Sequence, residues 1–358
     1  MELKIDTGRS YGIALEGGGA KGAYQIGVWK AIQEIGLRYH MVSGTSVGAL
    51  NGALYTMGDL DLALSAWENI RISQIVNVQG TDEKTMLKIC TNQLDLSEIR
   101  SAAPQLLSIL HNRGLDVQPL RDWVRTIVDP KIIRNAKTEL FACTYSISER
   151  RRKDIRINDL PEDEICDMLL ASAYFPAFKL EKLSGKLYAD GGFVESLPVN
   201  VLIDHNCRDI LCVRLPAPGV HRKVRKPDNV NIMTIETNAD LGSILEFDAA
   251  RARKNIEIGY YDAMRVFYGL YGKTYYIDRT MTESDAMNWL IRRYRVNHPD
   301  ESLRSVCEKR LPQNAKKLGA EKGDYYDLFI AVLEKLATRR KVDPFAIRTD
   351  EELLKQLR

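Results

Sequence analysis

Two glycine-bracketed segments contain the residues best suited to chemistry. Gly44-Thr45-Ser46-Val47-Gly48 is a G-x-S-x-G pentapeptide. A serine at its centre can act as a nucleophile if the chain folds it onto a sharp strand-to-helix turn, where a strained backbone exposes the hydroxyl and only small flanks escape collision. Gly17-Gly18-Gly19-Ala20-Lys21-Gly22 fits G-x-G-x-x-G, and its unhindered N–H groups at a helix start can face an anion. A dinucleotide site would need an acidic residue about 20 positions on, closing the second strand, but Gly44-Thr45-Ser46 stands there. A Walker-type loop fails as well, because Gly22 rather than Ser or Thr follows Lys21. Asp190-Gly191-Gly192 offers a carboxylate with backbone room around it, and a plain Asp-Gly turn is the bland alternative. Of the five histidines (His40, His111, His205, His221, His298), His205 or His221 would complete a Ser, Asp, His order. Neither stands where a turn would present an imidazole: His205 falls in a helical run from Pro198 to Asn206, and His221 sits beside Arg222 and Lys223.

The patterning around these segments predicts the elements that must position them. Tyr11 to Leu15 reads as a short buried strand, and Ala23, Ile26, Ala31, Ile32 and Ile35 share a helical face. Tyr39 to Ser43 reads as a second strand, and Val47 to Met57 as a helix whose Gly48 and Gly52 let it lie close to a sheet. Strand, helix, strand, helix implies an α/β fold, three-layer α/β/α, with a mostly parallel central sheet. Both glycine-bracketed turns then fall at the carboxyl ends of neighbouring strands, where open α/β sheets bind ligands. Residues 59–128 read as a helical insertion. Glu139 to Ser146 and Asp154 to Ile157 read as a hairpin whose basic tip, Arg150 to Arg152, is expected to be a solvated turn. A helix over Glu162 to Ala173 and a strand over Lys186 to Ala189 lead to Asp190, and Leu211 to Leu215 and Asn231 to Ile235 are the last strand signals. Ile244 to Gly269 reads as one long helix, packing by default into the core and, as an alternative, touching a membrane surface transiently. We expect a catalytic α/β domain over 1–280 and a helical C-terminal extension over 281–358.

Composition narrows the classes of function. The chain has 358 residues, 45% apolar and 28% charged, and can bury a substantial core. Its 51 Lys and Arg against 48 Asp and Glu leave a net charge of +3, far from the excess a dedicated nucleic-acid binder needs, so no nucleic-acid partner is expected. No apolar run is long enough to span a bilayer and no targeting segment is evident, so a cytoplasmic protein, at most peripheral at a membrane, is expected. Cys90, Cys143, Cys166, Cys207, Cys212 and Cys307 show no zinc-site spacing and read as reduced, buried thiols.

Together these segments resemble the patatin-like phospholipase family. The glycine-rich loop from Gly17 to Gly22, the elbow from Gly44 to Gly48, Ala171-Ser-Ala-Tyr-Phe-Pro-Ala-Phe178 and Asp190-Gly191-Gly192 occur in the family's order and approximate spacing. The resemblance covers about Tyr11 to Val201 well and says little about Met281 to Arg358. It implies a three-layer α/β/α fold, hydrolysis of acyl esters of phospholipids or related lipids, and no metal or organic cofactor. It further implies Ser46 as nucleophile, Asp190 as base and the amides of Gly17, Gly18, Gly19 and Ala20 as an oxyanion hole. Lys21, Gly22, Gly44, Gly48, Gly191 and Gly192 support the motifs, and Lys21 either orients its loop, meets a lipid phosphate or is a plain surface lysine. A lipid substrate needs an apolar channel, and the 59–128 insertion with Tyr174, Phe175 and Phe178 could line one. The nearest rival is an acyltransferase or thioesterase using the same serine. A lipase effector regulated through the C-terminal segment is a further alternative. From a different class, an anion- or nucleotide-binding module would use Gly17 to Gly22 alone.

Overall fold

The computed structural model describes residues 1–77, 83–91, 115–175, 178–320 and 323–357. Its centre is a seven-stranded sheet in the order β4-β3-β2-β1-β6-β7, with β5 also on β3. The strands are β1 (Ser10–Leu15), β2 (Arg38–Thr45), β3 (Glu139–Ser146), β4 (Arg151–Arg156), β5 (Tyr188–Asp190), β6 (Asp209–Val213) and β7 (Asn231–Ile235). β1 pairs parallel with β2 and β6, β2 with β3, and β6 with β7; only β4 and β5 run antiparallel, both against β3. The mostly parallel α/β architecture expected from the alternating pattern is present.

Helices cover both faces because the strand side chains alternate. The helix α1 (Ala23–Glu34) follows β1, and on one face Gly52 of α2 (Val47–Met57) approaches so closely that a Cβ there would lie 2.8 Å from Leu140 and 3.2 Å from Val42. On the other face Ala14, Met41 and Phe141 pack with Val199, Val201 and Leu202 of the helix Val199–Asp204. Leu140 and Phe141, or Met41 and Val42, thus face opposite layers, as the two-residue period of a strand requires. The long helix begins at Ala249, not Ile244: the Asp248 side chain accepts from Arg251 N–H at 2.9 Å and caps it, and residues 244–247 form a loop. Its residues Ile256, Ile258, Met264 and Phe267 are buried, the packing role expected by default.

The insertion is helical where it is described, in α3 (Leu60–Glu68), α4 (Glu83–Thr91) and Gln118–Ile127; residues 78–82 and 92–114 of that expectation lie outside the described residues. Arg152 corrects the reading of the basic tip as a solvated turn. It stands in β4, 16% exposed, and pairs with the buried Glu195. Cys143, Cys207 and Cys212 are buried free thiols, whereas Cys166 and Cys307 are only partly buried.

The chain divides into two compact units, Asp6–Ala263 and Met264–Arg358 with Met1–Ile5. The smaller unit has its own core around Leu290, Val306, Phe329, Leu333 and Leu353. It is not purely helical: β8 (Tyr276–Asp278) and β9 (Ile347–Thr349) pair in parallel, each too short to leave a strand signature in the sequence. Thr280, where the sequence pattern changes, lies inside this unit, and its N–H and that of Met281 donate to the buried Asp350 at 3.1 and 3.0 Å. No helix among the described residues is long and apolar enough to cross a membrane.

Candidate active site

Strand register brings the chemistry together. Leu15 pairs with Gly44, so the residues following β1 and β2 emerge side by side, and a Cβ on Gly17 would lie 3.2 Å from Ser46 Cβ. β2 reaches as far as Cys143 of β3, and β5 takes over from Thr144 on the same side of β3, opposite β4. Asp190, paired with Thr144, is thereby placed directly beyond Thr45 and Ser46.

Ser46 caps α2 with φ 56° and ψ −128°, a left-handed-side conformation that non-glycine residues rarely hold. The flanking glycines explain the motif: a Cβ on Gly44 would lie 2.2 Å from the Gly48 carbonyl oxygen, and one on Gly48 would lie 2.4 Å from that of Leu15. Ser46 N–H donates to Ser172 Oγ at 3.0 Å, and Ser172 in turn donates to the Cys143 carbonyl at 2.6 Å. Thr45 Oγ1 donates to the Glu195 carbonyl at 2.9 Å. None of Ser172, Thr45 and Glu195 has a role assigned from sequence; Ser172 and Thr45 are signalled only by position, inside the segment 171–178 and the elbow 44–48, and Glu195 by nothing.

Asp190 is 6% exposed, its Oδ1 accepts from Gly192 N–H at 2.7 Å, and it lines the same pocket as Ser46. Burial pushes its pKa up to about 6, and the nearby Ser46 hydroxyl and the Gly192 N–H oppose the rise by favouring the ionised form. Gly191 is required by space, since a Cβ there would lie 2.2 Å from the Cys143 carbonyl oxygen. Asp190 N–H donates to the Tyr174 carbonyl at 3.0 Å, tying the strand end to the segment after Ser172.

In the glycine-rich loop the four expected amides separate into two pairs. Gly17 N–H donates to the Ser196 carbonyl at 3.0 Å, and Ala20 N–H to that of Ile244 at 2.8 Å. The amides of Gly18 and Gly19 have no hydrogen-bond partner among the described residues. Gly19 holds φ +57°, and a Cβ there would lie 2.1 Å from the Ile244 carbonyl oxygen, so no other residue fits without moving that loop. Gly22 is pressed likewise on Val47, at 2.5 Å from a Cβ. Lys21 Nζ donates to the Pro216 carbonyl, which makes it a brace for the neighbouring loop rather than a free cation.

An apolar pocket of about 430 Å³ lies against Ser46 and Asp190. Leu50, Trp67 and Trp123 line it from α2 and the insertion, Phe175 and Phe178 from the segment before β5. Tyr174, expected with them, is buried instead, its ring 6.0 Å from Phe178 and its hydroxyl donating to the Lys179 carbonyl at 2.6 Å; Pro176 and Ala177 lie outside the described residues. The histidines take other places. His205 Nδ1 lies 2.8 Å from the Val201 carbonyl with its ring against Phe141, and His221 Nδ1 lies 3.5 Å from Glu16; His111 lies outside the described residues. Among the described residues no cluster of three or more His, Cys, Asp or Glu is arranged to hold a metal.

Comparison with known proteins adds lineage to this geometry. A model of the patatin-like phospholipase family matches residues 13–203. The chain is 29% identical over 210 residues to neuropathy target esterase sws of Drosophila melanogaster, across 58% of this chain and 13% of that protein. It is 56% identical over 48 residues to lysophospholipase nte1 of Aspergillus terreus, across 13% of this chain and 3% of that protein. The chain therefore spans only a small fraction of these relatives' length. Among solved structures, VipD from Legionella pneumophila aligns at 13% identity with a TM-score of 0.42, over 97% of this chain and 86% of that one.

Proposed function

Because the chain belongs to the patatin-like phospholipase family, we propose that it is a serine acyl hydrolase that needs no metal and cleaves fatty-acyl esters of phospholipids, lysophospholipids or related lipids. The observation that carries this reading is that Ser46, held on its strained elbow, and the buried, pKa-raised Asp190 line one apolar pocket. Ser46 Oγ attacks the acyl carbonyl as its proton passes to Asp190. The carbonyl oxygen becomes an oxyanion held by the N–H groups of Gly18 and Gly19, and its collapse expels the alcohol of the lipid, which takes the proton. Water activated by Asp190 then cleaves the acyl-enzyme.

The energetics require these parts to act together. A carboxylate of ordinary pKa, about 3.9, lies so far below a serine hydroxyl that stepwise proton transfer would be uphill by more than ~10 kcal/mol. Raising Asp190 to about 6 recovers some of this, and each oxyanion donor contributes about 3–4 kcal/mol in other acyl-transfer enzymes. Attack and proton transfer are therefore concerted, with the charge meeting pre-aligned donors as it develops. The apolar lining favours the acyl chain as the part held inside, with the polar head group left toward solvent.

The test supplies the chain with a lysophosphatidylcholine, a diacyl phospholipid vesicle and an acyl-CoA, with and without a glycerol-type acceptor, in EDTA. Release of free fatty acid from a phospholipid supports the hydrolase. Acyl groups passing to the acceptor would make it an acyltransferase, cleavage of the thioester alone a thioesterase, and silence on all three with Ser46 unlabelled by a fluorophosphonate would overturn the reading.

A further inference from the structure

Glu195 is a second buried carboxylate close to Asp190 in the chain, and it is 1% exposed. Its partner is Arg152 of β4, whose Nη1 pairs with Oε2, the oxygen that has no other partner in the described structure. Arg152 also donates to Asp154 Oδ1 through Nε at 3.1 Å and Nη2 at 2.7 Å, and Asn200 Nδ2 reaches Glu195 Oε1 at 3.4 Å. An ion pair at this depth is a weak source of stability, because removing two charges from water offsets most of their attraction. What it fixes is more informative.

The main chain at Glu195 and Ser196 is bonded to three segments of the site. Its own N–H donates to the Gly191 carbonyl at 2.9 Å, closing the turn behind Asp190. Its carbonyl accepts from Thr45 Oγ1 at 2.9 Å, next to Ser46. The following carbonyl, that of Ser196, accepts from Gly17 N–H at 3.0 Å, at the head of the glycine-rich loop. Residues 190–196 thus join carboxylate, elbow and oxyanion loop, and Arg152 fastens them to the β3–β4 hairpin. We propose that Glu195 and Arg152 are a positioning pair whose buried contact keeps Asp190, Ser46 and the Gly18 and Gly19 amides in register for acyl transfer; this rests on the assignment of Ser46 and Asp190 as nucleophile and base.

The test neutralises both members in the full chain, Arg152→Gln with Glu195→Gln, so that neither charge stays buried alone. Glu139→Gln is the control, removing a partly exposed pair with Arg156 on the same hairpin at 3.3 Å. Rates are expressed per active serine, titrated with a fluorophosphonate, so a loss of folded protein does not count. A displacement of about 1 Å at a reacting centre costs on the order of a hundredfold, and we expect kcat to fall about ten- to hundredfold with KM unchanged. The acid limb of kcat/KM moves to higher pH, because a loosened Asp190 loses the Gly192 N–H bond that favours its ionised form. Glu139→Gln behaves as wild type. Wild-type kcat per titrated serine in the double variant overturns the proposal, as does a fall in kcat with the acid limb unmoved. If the double variant does not fold, Glu195→Asp replaces it with the same readouts, keeping both charges but withdrawing the carboxylate by one methylene. A wild-type Ser46 that takes no label instead contradicts the nucleophile assignment and removes this inference with it.

Discussion

At the scale of single residues the account turns on Asp190. Its carboxyl must be ionised to accept the serine proton, so kcat/KM should rise through about pH 6 and level off above it, which a pH profile with a short p-nitrophenyl ester measures. The same group affects stability in the opposite sense. A carboxyl whose folded pKa, about 6, exceeds its ordinary value of 3.8 favours folding most when protonated, and that contribution is lost as pH rises through 6. Asp190→Asn should therefore be more stable than wild type at pH 8, by about 3 kcal/mol at ~1.4 kcal/mol per pKa unit, with the gain vanishing below pH 4. Denaturant melts at the two pH values check it; equal midpoints at pH 8 would mean that burying this charge costs nothing. Sequence singled out Ser46 and Asp190 because glycines flank the one and follow the other, and Gly44, Gly48 and Gly191 are forced by backbone contacts. It could not reveal the hydrogen-bonding roles of Ser172 and Thr45 within their motifs, nor Glu195 at all, because a hydrogen bond formed across loops distant in the chain leaves no local pattern.

At the scale of elements, α2 sets the depth of the pocket. Asn51 stands five positions beyond Ser46, about 7.5 Å along the helix axis at 1.5 Å per residue, and its Oδ1 accepts from Trp67 Nε1 at 2.9 Å. Trp67 and Trp123 meet edge to face there, 6.2 Å between centroids, and both line the pocket. Trp67→Ala or Trp123→Ala should shift the preferred acyl chain to greater length, read as the ratio of kcat/KM across p-nitrophenyl esters from butyrate to palmitate. An unchanged ratio would place the acyl chain elsewhere. The two central strands, both early helices and the β3–β4 hairpin were legible because their period is clear. The helix read from Ile244 began late because Asp248 supplies a cap that apolar periodicity does not reveal, and β8 and β9 are too short to show any period.

At the scale of the whole molecule, every group placed in the site belongs to the unit Asp6–Ala263. The smaller unit has a core of its own, and Phe329 within it is fully buried. Phe329→Ala should lower stability by about 3–5 kcal/mol, the usual cost of removing a buried phenyl ring, while the rate of fluorophosphonate labelling at Ser46 in the folded protein stays at the wild-type value. Slower labelling would show that the smaller unit supports the site. Composition indicated a globular chain with a large core, but the change of pattern near Thr280 does not mark where the units divide, because that division falls inside the continuous helix Ala249–Tyr268.

The central claim is that Ser46 and Asp190 work as one acyl-transfer pair, and ester turnover in EDTA by wild type, Ser46→Ala and Asp190→Asn tests it most directly. The account predicts that wild type turns over and that each variant loses at least about a thousandfold, on the scale seen when a nucleophile or its base is removed from such enzymes. Turnover by Asp190→Asn at the wild-type rate would contradict it.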